Sequence, residues 1–401
     1  MRLPDMMNAS NPDLREDFLI FGAPHLSPME VEEVVACLRS GWIGTGPRVA
    51  RFEADFARYK GVPSECVAAV NSCTAALHLS LLALDLEPGS EVITTPLTFC
   101  ATVNAILHAG LRPVLADVDP VSMNLDPQAV EQVVTAQTRA ILPVHFAGNP
   151  CDMDALTKTA SRHGLRMVED CAHAIEAKFK GKPVGTFGDF GCFSFYVTKN
   201  VVTGEGGMVL GKVAETIGRV RTLALHGLSR DAWKRFGDQG FKHYHVVECG
   251  FKYNMMDLQA AIGIHQLARV EENWRKRARI WARYQEAFSD LPVTRPVEAH
   301  SGNHHAYHLY TLLIDENETG LSRDAFLEAM TARRVGVGVH YLSLPEHPYY
   351  RETLGWHPDD FPNACRIGRQ TVSLPLSPKL SDDDVGYVID AVRSILLGYP
   401  R

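Results

Sequence analysis

The 401-residue chain carries a net charge of −7, with 46% hydrophobic and 22% charged residues, the balance of a globular protein large enough for two or three domains. The acidic balance speaks against a nucleic-acid or anionic-membrane surface. No apolar run approaches the roughly 20 residues of a membrane span, and the start Met1-Arg2-Leu3-Pro4-Asp5 lacks the apolar core of a signal peptide.

Residues 1–17 are polar and read as a flexible arm. From about 30 to 270, short apolar runs alternate with helix-like stretches. Residues 91–95, 113–118, 140–145, 166–170, 191–195 and 207–210 read as strands, and 74–84 and 126–136 as helices. Strands that are apolar on both faces predict an α/β domain over residues 18–270, a mostly parallel central sheet covered by helices. The later strands lie closer together, so at least one is expected to run antiparallel. Residues 255–290 carry a helical period and predict one long connecting helix. It opens a smaller C-terminal α+β domain over 271–401, with strands at 307–314 and 335–341 and helices at 323–334 and 382–397. His304, His305 and His308 would share a metal only from a helix, and the strand pattern at 309–314 scatters them; no metal site is expected. Nine scattered cysteines, none in a Cys-x-x-Cys pair, read as reduced thiols of a cytoplasmic protein.

The chemistry concentrates at strand ends. The aromatic run Cys192-Phe193-Ser194-Phe195-Tyr196-Val197-Thr198 ends in Lys199, and Thr203-Gly204-Glu205-Gly206-Gly207 follows. A lysine delivered from a buried strand is poised to lose its proton and attack a carbonyl. Upstream, a second apolar run ends in Glu169-Asp170-Cys171-Ala172-His173. Alone, Lys199 reads equally as a surface lysine and Asp170 as a helix cap. Together, a Schiff-base lysine and an acid facing a pyridine nitrogen are the basic requirement of pyridoxal 5′-phosphate (PLP) chemistry. Asn71-Ser72-Cys73-Thr74-Ala75 opens a helix and offers free N–H groups to a phosphate, or is a plain cap. Ser194 could add a hydroxyl to the same phosphate. Phe99, after a strand end, either stacks on a flat ring or packs in the core. His173 could reach a ring hydroxyl of the cofactor.

In this order and spacing, the motifs resemble those of the DegT/StrS-type PLP-dependent nucleotide-sugar aminotransferases of fold type I, over nearly the whole chain. The resemblance implies a phosphate loop with contacts at Thr74 and Ala75, Phe99 as the stacking aromatic, Asp170 on the pyridine nitrogen, Ser194 on the phosphate and Lys199 as the Schiff-base lysine. Gly41-Trp42-Ile43-Gly44-Thr45-Gly46-Pro47 resembles the family's N-terminal loop near the active site, which makes Thr45 a candidate substrate contact. Val339-His340-Tyr341 and Ser373-Leu374-Pro375-Leu376 resemble C-terminal signatures, with His340 and Tyr341 on the substrate side. Gly250-Phe251-Lys252-Tyr253-Asn254 looks like the branch that forms UDP-4-amino-4-deoxy-L-arabinose, as does Leu225-His226-Gly227-Leu228-Ser229-Arg230-Asp231-Ala232-Trp233. In the family the former segment reaches the neighbouring subunit's site, so Lys252 or Asn254 is expected to touch the partner's cofactor phosphate. The implied protein is a homodimer with shared sites. It would transfer an amino group from glutamate to a keto group, at C4, of a nucleotide-linked sugar. A keto-cyclitol aminotransferase, a PLP-dependent sugar dehydratase and a non-catalytic regulator are the rival readings; Lys199 stands against the dehydratase, whose relatives carry histidine there.

Overall fold

The computed structural model describes residues 14–229 and 244–398. Helices α1 (Pro28–Ser40) and α2 (Pro47–Lys60) come first. Each starts at a proline, whose fixed φ suits a first helical turn, and each stops at a left-handed glycine, Gly41 and Gly61.

The main sheet has seven strands: β1 (Val67–Val70), β2 (Glu91–Thr94), β3 (Arg112–Leu115), β4 (Thr138–Leu142), β5 (Arg166–Asp170), β8 (Phe190–Ser194) and β9 (Gly207–Gly211). Between β5 and β8 lies a two-stranded hairpin, β6 (Lys178–Phe179) and β7 (Lys182–Pro183). The sheet order is β1-β9-β8-β5-β4-β2-β3. Only β9 runs antiparallel, to both β1 and β8; the other neighbours are parallel. Helices α3 (Cys73–Ala83), α4 (Cys100–His108), α5 (Pro127–Val133), α6 (Met153–His163) and α7 (Ala214–Ala224) connect the strands. Side chains of β8 alternate between two cores. Cys192 joins Leu77, Leu79 and Val209 on the α3 face. Phe193, with Phe195 just past the strand, joins Phe52, Phe56 and Met208 on the other. Each such buried aromatic contributes about 1.5–3 kcal/mol. The sheet is thereby fixed from both sides, and the carboxyl ends of its parallel strands are where an open α/β sheet leaves room for a ligand.

β1 was not expected: Ala68 and Ala69 dilute its β-branched signal. The single helix expected over 255–290 is two, α8 (Asp257–Ala268) and α9 (Val270–Ala287). Arg269 breaks it at φ −113°, ψ 15°. Its guanidinium donates to His25 O (2.8 Å) and pairs with Glu30, which holds the corner against α1.

A second core gathers Trp281 and Tyr284 of α9 and Phe288 just after it with Tyr310, Phe326, Val388 and Val392. Among the described residues its sheet is β10 (Tyr310–Leu313) and β11 (Thr371–Leu374), antiparallel, packed with α10 (Arg323–Ala332) and α11 (Asp382–Gly398). The segment 335–341, expected as a strand, makes only isolated bridges, Leu19 with Val335 and Gly338 with Ser373. Leu19 packs in this second core rather than the first. Of the expected arm, 1–13 lie outside the described residues. Residues 14–17 are held, Arg15 pairing with Asp384 at 2.6 Å.

Candidate active site

Two lysines are drawn down to about 8 by burial, and their surroundings separate them. Lys60 is 3% exposed. Its Nζ donates to Ile175 O (2.7 Å) and Val184 O (3.3 Å) and lies 4.4 Å from the Phe193 ring centre. It is a fully occupied cation. Lys199 sits in a turn just past β8, its N–H donating to Tyr196 O (2.9 Å). Its Nζ meets no hydrogen-bond or ion-pair partner among the described residues. Burial dominates its shift, and the neighbouring Cys73 and Asp170 oppose it. Nothing occupies the amine, so it is available as a nucleophile once deprotonated. Acetic anhydride labelling of the cofactor-free protein, read by peptide mass spectrometry, should therefore modify Lys199 with a midpoint near pH 8. An ordinary lysine requires about 10.4. Lys60, equally lowered but enclosed, should stay unlabelled. A Lys199 midpoint above 10 would contradict the environment described.

Asp170 ends β5 and is buried. Oδ2 accepts from Thr102 Oγ1 (2.9 Å) and Oδ1 from the Ala172 N–H (3.1 Å). Thr102 is held in turn by Thr98 (2.8 Å). Burial raises the carboxyl pKa; the two hydrogen bonds and Lys199 resist. The acid is oriented but has no cation bound to it among the described residues, which is what a protonated pyridine nitrogen would supply. Its neighbour Glu169 is by contrast saturated. It accepts from the N–H groups of Gly185, Phe187 and Gly188 (2.7, 2.7 and 2.8 Å) and pairs with His145 (3.2 Å).

His173 Nδ1 accepts from the Ala147 N–H (3.3 Å). A backbone amide can only donate, so the ring proton sits on Nε2 and is donated to Tyr341 Oη (3.0 Å). Burial and the Lys199 charge hold His173 well below its ordinary pKa, which keeps it neutral. The Tyr341 hydroxyl proton is thus left free to be donated. The Tyr341 ring centre lies 5.9 Å from that of Phe99. Phe99, the residue capping α4, is 57% exposed, so the sequence alternative of core packing does not hold. His340 bonds Ser373 Oγ through Nδ1 (2.8 Å), and burial and Lys199 lower it to about 4.

At the start of α3, Ser72 Oγ takes the Ala75 N–H (3.0 Å). The N–H groups of Cys73 and Thr74 have no acceptor among the described residues. Ser194 lies beside this helix start through β9. It pairs in register with Gly207, and a Cβ on Gly207 would come within 2.5 Å of the Ser72 carbonyl. The glycine is what lets strand and helix end approach. An anion placed there would gain free donors and the helix dipole.

Thr45 and Asn254 turn to each other. Asn254 Nδ2 donates to Thr45 Oγ1 (2.6 Å), which donates to Met255 O (2.5 Å). Asn254 Oδ1 is buried without a partner among the described residues. Lys252 is exposed and makes no ion pair among the described residues. Of the three histidines weighed as metal ligands, His304 stacks on Trp274 (4.3 Å between centres), His305 bonds the Tyr307 N–H (2.8 Å), and His308 bonds Asn200 (3.0 Å). Thr102, Asn200, Glu176 and His308 were not singled out for this site from sequence. The two threonine hydroxyls four residues apart across the start of α4, Thr98 and Thr102, were the one local signal available.

A PLP fits these residues: a free amine, an uncompensated acid, two vacant N–H groups at a helix start, and an exposed aromatic. The model of the DegT/DnrJ/EryC1/StrS aminotransferase family matches residues 24–393. The chain is 45% identical to the spore coat polysaccharide biosynthesis protein SpsC of Bacillus subtilis over 385 residues, 96% of this chain and 98% of that one. Its structure is similar to the PMP-form of the putative sugar aminotransferase Spr1654 of Streptococcus pneumoniae, with TM-score 0.88, 31% identity, and coverage of 95% and 98%. It is also similar to DesI solved in the presence of its TDP-sugar product, with TM-score 0.83, 32% identity, and coverage of 96% and 96%. Residues 230–233 of the branch-like segment lie outside the described residues.

Proposed function

The chain belongs to the DegT/DnrJ/EryC1/StrS aminotransferase family and is a PLP-dependent sugar aminotransferase, and from that premise we propose that it moves an amino group from L-glutamate to the C4 keto group of a nucleotide-linked deoxysugar. The observation that carries this reading is the unpartnered Lys199 amine beside the uncompensated Asp170 carboxylate. DesI, whose structure holds a TDP-sugar product, and the Phe251–Asn254 segment support the nucleotide-linked acceptor. The nine free cysteines support a reducing, cytoplasmic setting, and no described helix is long and apolar enough to cross a membrane.

When bound, PLP supplies a ring that draws electron density from the carbon being deprotonated. The Lys199 Nζ, neutral above about pH 8, would take the proton from the donor Cα in the first half of the transfer and deliver a proton to the acceptor carbon that gains the amine in the second. Asp170, oriented by Thr102 and Ala172, would keep the ring nitrogen protonated. The Cys73 and Thr74 N–H groups and the Ser194 hydroxyl would hold the phosphate, with Ala75 in the same turn. Phe99 would pack against the ring. Tyr341, its acceptor side filled by His173, donates its own proton to a ligand oxygen, and His340 stands beside it on the substrate side. Turnover should be compared across UDP-, dTDP- and GDP-4-ketosugars and an inosose, with glutamate as donor. Amination of the inosose alone would move the reading to a keto-cyclitol, and no aminated product from any acceptor would refute it.

The same reading includes a two-fold homodimer in which Lys252 or Asn254 completes the partner's phosphate site. The apolar side chains of Met29, Val31, Leu38, Trp42 and Ile43 are each about half exposed on and after α1, a surface that a second copy would cover. Lys252→Ala and Lys199→Ala, each inactive alone, should recover activity when mixed, because one site of the heterodimer keeps both lysines. No recovery after proven subunit exchange would remove Lys252 from the shared site. An active monomer in sedimentation would remove the dimer.

A further inference from the structure

Beneath Lys199 runs a buried polar chain that the reaction as described does not use. Arg277 of α9 and Glu176 are each 1% exposed and form an ion pair. Arg277 Nε donates to Tyr307 O (3.1 Å). The other Glu176 oxygen accepts from Asn200 Nδ2 (2.8 Å), which also donates to Ala306 O (3.0 Å). Two acceptors on the amide nitrogen fix which way the Asn200 side chain faces, leaving Oδ1 toward His308 Nδ1 at 3.0 Å. That oxygen can only accept, so His308 carries its proton on Nδ1 and its Nε2 is bare. The His308 ring packs 4.4 Å from His173. Burial and the Lys199 charge hold His308 well below its ordinary value, in keeping with a neutral ring.

A buried pair of this kind is costly to desolvate and is weak evidence for stability alone. Its position gives it a use. Asn200 directly follows Lys199, and Glu176 lies six residues past Asp170. The chain of contacts therefore ties the nucleophile's backbone to the acid's loop and to the start of the second core.

We infer that Asn200 is a positioning residue: gripped by the Glu176–Arg277 pair, it fixes the main chain that aims Lys199 and locks His308 with a bare Nε2 as a hydrogen-bond acceptor beside His173. The inference rests on Lys199 being the reacting amine. Asn200→Ala keeps the ion pair intact and frees the turn, so the Lys199 amine gains access to water. Its acetylation midpoint in the cofactor-free protein should then move upward from about 8 by about one pH unit. In the loaded enzyme kcat/KM should fall about 10- to 100-fold, the scale of a misaimed reacting group. A role confined to stability would lower Tm and leave the midpoint in place, and that result overturns the inference. If Asn200→Ala does not fold, Asn200→Ser removes the same amide and is read the same way. Normal turnover in Lys199→Ala would instead overturn the underlying assignment. An inactive Lys199→Ala with an unmoved midpoint in Asn200→Ala would overturn only the positioning role.

Discussion

Lys199→Ala should lower transamination by several orders of magnitude, because nucleophile and proton carrier vanish together. PLP should still bind through the α3 start, Ser194 and Asp170, but no cofactor should remain attached to the chain after borohydride reduction. The substitution should not weaken the fold. Lys199 is held near 8 against about 10.4 in the unfolded chain, so its depressed pKa penalises the folded state fully below about 8. That penalty fades as pH rises toward the unfolded value. Removing the amine at pH 7 should raise the Tm of the cofactor-free protein, or at least not lower it. Near-wild-type turnover would take Lys199 out of the reaction. A large fall in Tm would mean that its Nζ has a stabilising partner, contrary to the geometry.

The parts of this molecule that could be read from sequence are those where chemistry follows a strand end. An aromatic run closing on Lys199 and an apolar run closing on Asp170 are local signals, and β8 and β5 lie side by side in parallel. The parallel sheet and the one reversed strand were likewise legible, because hydrophobic runs buried on both faces leave few alternatives. The order of the strands was not, since nothing local records which neighbour a strand chooses. The break at Arg269 escaped for a related reason: the helical period continues through it, and the turn is imposed by His25 and Glu30, far away in sequence. Segment 335–341 has a strand's composition but lacks a continuous partner.

Polar side chains were harder to place than apolar ones. Thr45 and Asn254 lie in motifs that resemble active-site loops, yet here they bond each other. Glu176 and Asn200 look unremarkable in sequence, and His308 drew notice only as a metal ligand, because each takes its meaning from a residue more than 20 positions away. His173 shows the same limit. Its spacing from Asp170 marked it as a site residue, but its tautomer depends on the Ala147 amide and only the fold supplies that.

Asp170→Asn should cut kcat/KM by two or more orders of magnitude while leaving PLP affinity within about tenfold, a separation that distinguishes an electronic role from a binding one. The fold should tolerate the change. An asparagine can still accept the Ala172 N–H through its oxygen, and Thr102 can rotate its hydroxyl to receive the new N–H, since Thr98 stands on its other side. What disappears is the charge. The wild-type carboxylate is buried with its pKa raised, a cost that a protonated ring nitrogen would offset with PLP bound. The sign of the effect on stability therefore reverses with the cofactor. Without PLP the neutral asparagine should match or exceed the wild type in Tm, because the burial penalty on the carboxylate is gone. With PLP the wild type should gain more, because a ligand stabilises the folded state more the tighter it binds and only the wild type adds the ion pair. Calorimetry with and without PLP, beside steady-state kinetics, measures both halves. A fully active Asp170→Asn enzyme would show that another group protonates the ring, and equal PLP-induced gains in Tm would show that Asp170 does not face it.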